Sequence, residues 1–163
     1  MTSELRVDTI HNEGGDNDTG LDLSTNDQIV LKTANTTRLT MNATGQTTIV
    51  GEGGSTTTSV QQGLAKAWVH FDGSGTVAVN DTLNITSLVD NGTGDYTVSI
   101  VNDMANAHYS SPCAASSGGA ANTDTMVNPY TWAAGSLALR SNNNSGAAAD
   151  RSEVNITIHG ELA

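Results

Sequence analysis

Basic residues, cysteine, aromatic rings and long apolar runs are all scarce in this sequence. Six Lys and Arg stand against 17 Asp and Glu, a formal charge of −11. A surface so acidic repels phosphate backbones and anionic lipid, so nucleic acid is not an expected partner. A single cysteine, Cys113, leaves no intrachain disulfide framework and no multi-cysteine zinc site. It follows Pro112 among small residues with no base beside it, the setting of an inert buried thiol. No apolar run approaches the length of a membrane span, so membrane insertion is not expected. The opening "MTSELRVDTI" lacks the apolar stretch of a secretory signal, and synthesis in a cytosol outside the general secretory route is the expectation.

Hydrophobic residues make up 36% and aromatics 4%, both low for a self-sufficient globule. Charged residues are 14%, too few for a charge-dense disordered tail. A length of 163 residues allows one or two small domains and no large enzyme with a deep pocket. Catalytic patterns are missing as well. There is no G-x-S-x-G elbow, no Walker-type loop and no H-E-x-x-H. The carboxylates sit in polar turns, where nothing would raise a pKa for general acid work. The expectation is a protein that is not an enzyme, with no catalytic residue and no cofactor.

Ser, Thr, Asn and Gly fill the gap, and they suit turns and solvated strand faces better than long helices. "LRVDTI" alternates as a half-buried strand, with Leu5, Val7 and Thr9 on one side. "NEGGDNDTGLDLSTND" follows as a turn-dominated stretch. "QIVLKT", "TRLTMN" and "TTIV" then read as short strands separated by the tight turns "ANT" and "ATGQ". With two or three apolar residues each, a lone copy of these strands would barely offset its backbone entropy. Short strands with open edges invite pairing, and several copies sharing one core about an axis is the economical solution.

"GEGGSTTTSVQQG", residues 51 to 63, reads as a flexible or extended linker, with room for one helical turn at its end. Beyond it the alternation strengthens. Ala67, Val69 and Phe71 face one way and Trp68 and His70 the other; Tyr96, Val98 and Ile100 share a face, as do Val154, Ile156 and Ile158. About seven short strands with a turn every 8 to 12 residues predict an antiparallel β-sandwich, jelly-roll-like. The predicted organisation is therefore all-β: residues 1–50 as an intertwined stem whose copies share one core, 51–63 as linker, and 64–163 as a β-sandwich head.

Candidate sites are few. In "DNGTGD", Asp90, Asn91 and Asp95 offer hard oxygen ligands for Ca²⁺, but Asp, Asn and Gly are also what a hairpin turn needs, and no EF-hand register is present. Asp16, Asp18 and Asp22 fall within seven positions in "GGDNDTGLD". They are the candidate metal ligands of highest charge count, and the plainer reading of them is a solvated acidic turn. His11, His70, His108 and His159 lack zinc spacing, although His70 and His159 fall on strands that could be neighbours. In "NPYTWAAGS", Tyr130 and Trp132 stand two apart in a turn-rich setting where aromatic faces beside amides and hydroxyls suit stacking on a sugar. The alternative is that they fill an aromatic-poor core. "SNNNSG" is an exposed polar loop. Tyr130, Trp132, Asn142, Asn143 and Asn144 are the candidate contacts for a sugar, and the resemblance that follows implies that the sugar would be a host cell-surface glycan acting as receptor.

Two stretches carry a resemblance. "DQIVLKTANTTRLTMNATGQTTI" is similar to the repeated fibre segment of tailed bacteriophages, in which I-x-L-x-T is followed by an Arg-led strand, here "RLTMN", and a Gly turn. "QQGLAKAWVHFDGSGTVAVNDTLNITSLVDNGTGDYTVSIVNDMANAHYS" resembles the C-terminal module of fibre proteins from phages of marine bacteria. Its "KAW" strand, its "NITSLVDNGTGDY" hairpin and its "ANAHY" segment carry the likeness. The resemblance implies a homotrimeric virion protein, assembled in the host cytoplasm. Its N-terminal part would dock on other virion structural proteins and its β-sandwich would point outward. It carries over no catalytic residues. The expected part is a tail fibre contributing to host-surface attachment. A capsid-decorating head fibre, or a tail connector without receptor binding, would keep the fold and change the part. A glycan depolymerase would need paired carboxylates in a groove.

Overall fold

The computed structural model describes residues 6–12, 14, 18–51, 54–117 and 126–163. Its chain divides into two compact units, Met1–Gln61 and Gln62–Ala163. All sheets are antiparallel, and among the described residues the single helical turn is Val60–Gly63.

Unit 1 is one six-stranded meander in chain order: β1 (Thr9–His11), β2 (Gly20–Asp22), β3 (Ile29–Thr33), β4 (Thr36–Met41), β5 (Thr47–Val50) and β6 (Thr57–Ser59). Local chemistry sets its turns. Ala34 and Asn35 both take positive φ, 49° and 54°, the pattern of a two-residue hairpin turn whose twist matches its strands. The Gln61 side chain fastens the β4–β5 turn, accepting from the Thr47 N–H at 3.0 Å and donating to the Gly45 carbonyl at 2.9 Å.

Two strands of this unit lie where turn or linker is expected. Within the acidic turn stretch, Gly20 lets β2 approach β1 closely. A Cβ there would sit 2.1 Å from the Ile10 carbonyl oxygen, so only glycine fits. Within the expected linker, β6 pairs Thr57 to Ser59 with β5, since a run of β-branched Thr completes the sheet edge. Conversely, the strand expected over "LRVDTI" is confined to Thr9–His11, and Leu5 lies outside the described residues.

Unit 2 is a sandwich of two four-stranded sheets. One runs β12 (Met126–Ala133), β13 (Ser136–Asn142), β10 (Asp95–Ile100), β9 (Ile85–Gly92). The other runs β11 (Cys113–Ser116), β14 (Glu153–His159), β7 (Ala65–Asp72), β8 (Ala78–Leu83). The strictly alternating residues of β7, β10, β13 and β14 point inward and make one core. It includes Val69, Phe71, Tyr96, Val98, Leu137, Leu139, Val154, Ile156 and Ile158. The Phe71 and Tyr96 rings meet edge to face at 5.0 Å between centroids. Asn84, at φ 57°, turns the chain from one sheet to the other. Its amide nitrogen donates to the Lys66 and Asn102 carbonyls, and its oxygen accepts from the Asn102 backbone N–H at 2.9 Å.

The sandwich has eight strands, and consecutive strands pair as hairpins inside a sheet (β7–β8, β9–β10, β12–β13), not in the jelly-roll-like order expected. The physical reason is local: the two-residue connections Thr93–Gly94 and Ala134–Gly135 return the chain at once beside its own preceding strand. "NPYTWAAGS", expected as a loop, supplies most of edge strand β12 and its turn.

Candidate functional site

The outer face of the β12-β13-β10-β9 sheet carries a group of interacting polar side chains drawn from four strands. Register decides which residues reach it. Opposed residues in a ladder share a face. Pro129 opposes Leu139 and Trp132 opposes Leu137, both buried, so Pro129 and Trp132 lean inward. The bulge between Pro129 and Thr131 inserts Tyr130 as an extra residue and turns it outward. The two aromatics, which would share a face in a regular strand, are thus split.

On the outer face the Tyr130 hydroxyl donates to Asp95 Oδ1 at 2.7 Å, and Arg140 donates to Asp95 Oδ2 at 2.8 Å. The Arg140 guanidinium lies 5.8 Å from the centre of the Tyr130 ring. A second bulge in β9 frees Asn91, whose amide reaches Asp95 Oδ1 at 3.5 Å and Thr97 Oγ1 at 2.9 Å. The Tyr130 hydroxyl and then Arg140 hold the Asp95 carboxyl below its ordinary range. The hydrogen bond to Asp95 pushes the Tyr130 phenol up, and the same carboxylate raises Arg140. Tyr130 remains 49% exposed. A rigid ring whose hydroxyl and neighbouring charges are already fixed presents an apolar face without an ordering cost.

Trp132 is an edge residue whose indole N–H donates to Ser111 Oγ at 3.0 Å. It is 41% exposed, so neither aromatic fills the core as the alternative reading of the sequence had it. The core rings are Phe71, Tyr96 and Tyr109. Sequence reasoning passed over Asp95 and Arg140 as partners of Tyr130, because 35 and 45 positions separate the bonded residues.

The three asparagines are not equivalent. Asn143 Oδ1 accepts from the Ser145 N–H, the Ser145 hydroxyl and the Ala147 N–H, all at 3.0 Å, so it holds its own loop together. Asn142 ends β13 with its side-chain oxygen buried, and Asn144 is exposed.

The acidic candidates are spoken for or scattered. Asp16 lies outside the described residues. Asp18 accepts from the Thr19 hydroxyl at 3.1 Å. The Asp22 carboxylate takes Lys32 on one oxygen and the Ser24 N–H and hydroxyl on the other, which together hold its pKa far down. In the "DNGTGD" turn, Asp90 accepts from the Gly92 N–H at 2.9 Å. Gly94 takes φ 67° and its N–H donates to Asp150 at 2.6 Å. The turn closes the β9–β10 hairpin.

His70 pairs with Glu153 across strands, whereas His159 and His108 line a separate open cleft of about 490 Å³ with Gln62, Tyr109, Ser110 and Glu161. His70 and His159 lie on adjacent strands but at different levels, opposite Asn155 and Ala65. Among the described residues, no three His, Cys, Asp or Glu side chains converge as a metal site. Cys113 is half-buried, its thiol donates to the Val127 carbonyl at 3.4 Å, and burial pushes it up.

Unit 1 presents a different feature. Ile10 opposes Leu21, Leu21 opposes Leu31, Leu31 opposes Leu39 and Leu39 opposes Ile49. The result is one apolar row across five strands, widened by the pair Ile29–Met41. Ile10, Leu31 and Ile49 stand 48%, 45% and 40% exposed. Among the described residues of this unit only Val30, on the other face, is buried. No protein-family model matches the chain, and no curated protein or solved structure matches it significantly.

Proposed function

We propose that this protein is a structural fibre of a tailed-bacteriophage virion, a homotrimer that contributes to attachment at the host surface. The observation that carries this reading is the apolar row of unit 1. Seven aliphatic side chains share one face of a single sheet, no second sheet covers them among the described residues of unit 1, and sister copies would supply that layer. The likeness of "DQIVLKTANTTRLTMNATGQTTI" to fibre repeats points the same way. Unit 2 is built as a rigid carrier, with its core complete and its polar chemistry on the outer sheet faces. The exposed Tyr130 ring, braced by Asp95 and Arg140, is the surface that suits a sugar ring. Three copies multiply such a weak contact by avidity. The function needs no catalytic group and no cofactor, and the N-terminal region is the part that docks on other virion proteins.

Light scattering tests the shared core. The expected mass is about 50 kDa, three of the 16.8 kDa chain. A stable 16.8 kDa species would overturn the reading. Antibody labelling in electron micrographs separates tail from capsid, and a capsid position would replace host attachment with head decoration. Phage carrying Tyr130→Ala should adsorb more slowly, and unchanged adsorption would remove Tyr130 from the receptor role.

A further inference from the structure

We propose that the cleft beside the C-terminal end of β14, together with the Trp68 surface next to it, is a binding site for a neutral saccharide. The site lies wholly in unit 2. It is separate from the Tyr130 contact and does not depend on it.

Unpaired polar groups carry the inference. His108, Ser110 and His159 line the cleft, and none of their side chains has a partner among the described residues. Asn106 Oδ1 accepts from the His108 N–H at 2.7 Å, which leaves the Asn106 amide nitrogen open as well. The backbone holds these groups in place. The N–H groups of Ser110 and His159 each donate to the other residue's carbonyl at 2.9 Å, so the two side chains share one face of the sheet. Tyr109 and Gly160 form the floor. The Tyr109 hydroxyl reaches the Ala133 and Ser136 carbonyls of the opposite sheet, at 3.1 and 2.9 Å. A Cβ on Gly160 would lie 2.9 Å from Met104 Cε and 3.0 Å from Tyr109 Cβ, so the floor is filled. Such a site is ordered before a ligand arrives.

The Trp68 surface extends the cleft. Thr157 and His159 are successive outward residues of β14, about 7 Å apart. Trp68 opposes Thr157 and Leu83 and stands between the buried Ala67 and Val69, so its indole lies on the same outer face. Its N–H has no partner among the described residues, unlike that of Trp132. Leu83 is 47% exposed at the same level. The next level along the strands is polar, with His70, Asp81 and Asn155. An apolar strip between two polar ones matches a sugar ring, which has a C–H face and a rim of hydroxyls.

The groups also select the charge of the ligand. A sugar hydroxyl both donates and accepts, as do an imidazole and the Ser110 hydroxyl. An anion only accepts, and here it would meet Glu161, Asp81 and Glu153 on a chain of −11. The Lys66 ammonium already donates to the Leu64 carbonyl at 2.8 Å. A neutral saccharide fits these groups, and an acidic one does not.

In the full-length Trp132→Phe protein, Trp68 is the only tryptophan. Its emission is followed while oligosaccharides from starch, laminarin, mannan and galactan are added, with alginate oligosaccharides as the acidic comparison. At least one neutral series should shift the emission and saturate, and alginate should not. His159→Ala and Ser110→Ala should each weaken that binding about tenfold, the worth of one bond left unmade. Ser110→Ala deletes one exposed oxygen and keeps the backbone pair, so it decides the matter if urea unfolding shows that His159→Ala loosens the fold. Silence from every neutral series would overturn the proposal, and so would equal binding of alginate. Binding unweakened in Ser110→Ala and in a folded His159→Ala would overturn it too. A response lost in Tyr130→Ala and kept in His159→Ala would put the sugar on the other sheet, with the same consequence.

Discussion

Replacing Tyr96 with Phe deletes one oxygen from the middle of the sandwich and leaves the ring. The hydroxyl lies 3.1 Å from the Gly73 carbonyl and 3.0 Å from Asp150 Oδ1, with one proton to share between them. Burial, and then Asp150, push the phenol well above its ordinary range, so it stays protonated in the folded protein at neutral pH. Phe keeps the edge contact with Phe71 at 5.0 Å, so packing is preserved. Asp150 is exposed and still accepts from the Gly94 N–H at 2.6 Å, so its carboxylate recovers water at little cost. The Gly73 carbonyl is buried behind Tyr96 and loses a donor. An unmatched buried acceptor costs about 1–3 kcal/mol, and the expected loss is about 1.5 kcal/mol. Tyr96→Ala adds a ring-sized cavity and should cost about 3–5 kcal/mol. Both tryptophans, Trp68 and Trp132, lie in unit 2, so urea unfolding followed by their fluorescence reports this unit directly. A Tyr96→Phe change within about 0.5 kcal/mol of the parent would mean that the hydroxyl contributes no net bond. A loss as large as that of alanine would mean that the ring does not hold its place without it.

All three tyrosines are raised, Tyr96 and Tyr109 first by burial and Tyr130 first by its bond to Asp95. A raised phenol stabilises the fold below its ordinary pKa of about 10 and gives that stability up as pH climbs through the folded value. Absorbance at 295 nm should therefore show little tyrosinate at pH 10 while the circular dichroism is native, and a normal titration there would contradict the bonding. Asp95 has the opposite sign: its stabilisation is present above the ordinary carboxyl range and fades as pH falls below about 4. Asp95→Asn should flatten that acid limb of the urea midpoint, and an unchanged limb would argue against the Tyr130–Asp95–Arg140 group. Asn84→Ala keeps a side chain at φ 57° and loses four hydrogen bonds, whereas Asn84→Gly loses only the bonds. Alanine should be the worse by about 1 kcal/mol in unfolding, and equal losses would refute backbone strain at that corner. Residues 62–163 expressed alone should unfold cooperatively as a monomer, and an aggregated or unfolded fragment would show that the sandwich needs its sister copies.

The strands that could be read directly are those whose inward face meets one continuous core. In β7, β10 and β14 every second residue is apolar, so alternation gives strand, face and core together. Features that depend on a partner strand were hidden. Gly20 looks like a turn residue until β1 is laid against it, and Tyr130 looks like a companion of Trp132 until the bulge opposite Leu139 is counted. The apolar row is hidden in the same way: Ile10, Leu21, Leu31, Leu39 and Ile49 become neighbours only through four successive registers. The composition also misled in one respect. A low apolar fraction suggests that the whole chain depends on sister copies, but the average conceals two distributions. Thirteen buried residues, all from unit 2, close the sandwich on its own. The sheet of unit 1 has its aliphatic side chains on an open face. On the trimer reading proposed above, the shared core would belong to the first sixty residues or so, and a trimer made there would hold three self-sufficient sandwiches without asking any of them to change its packing.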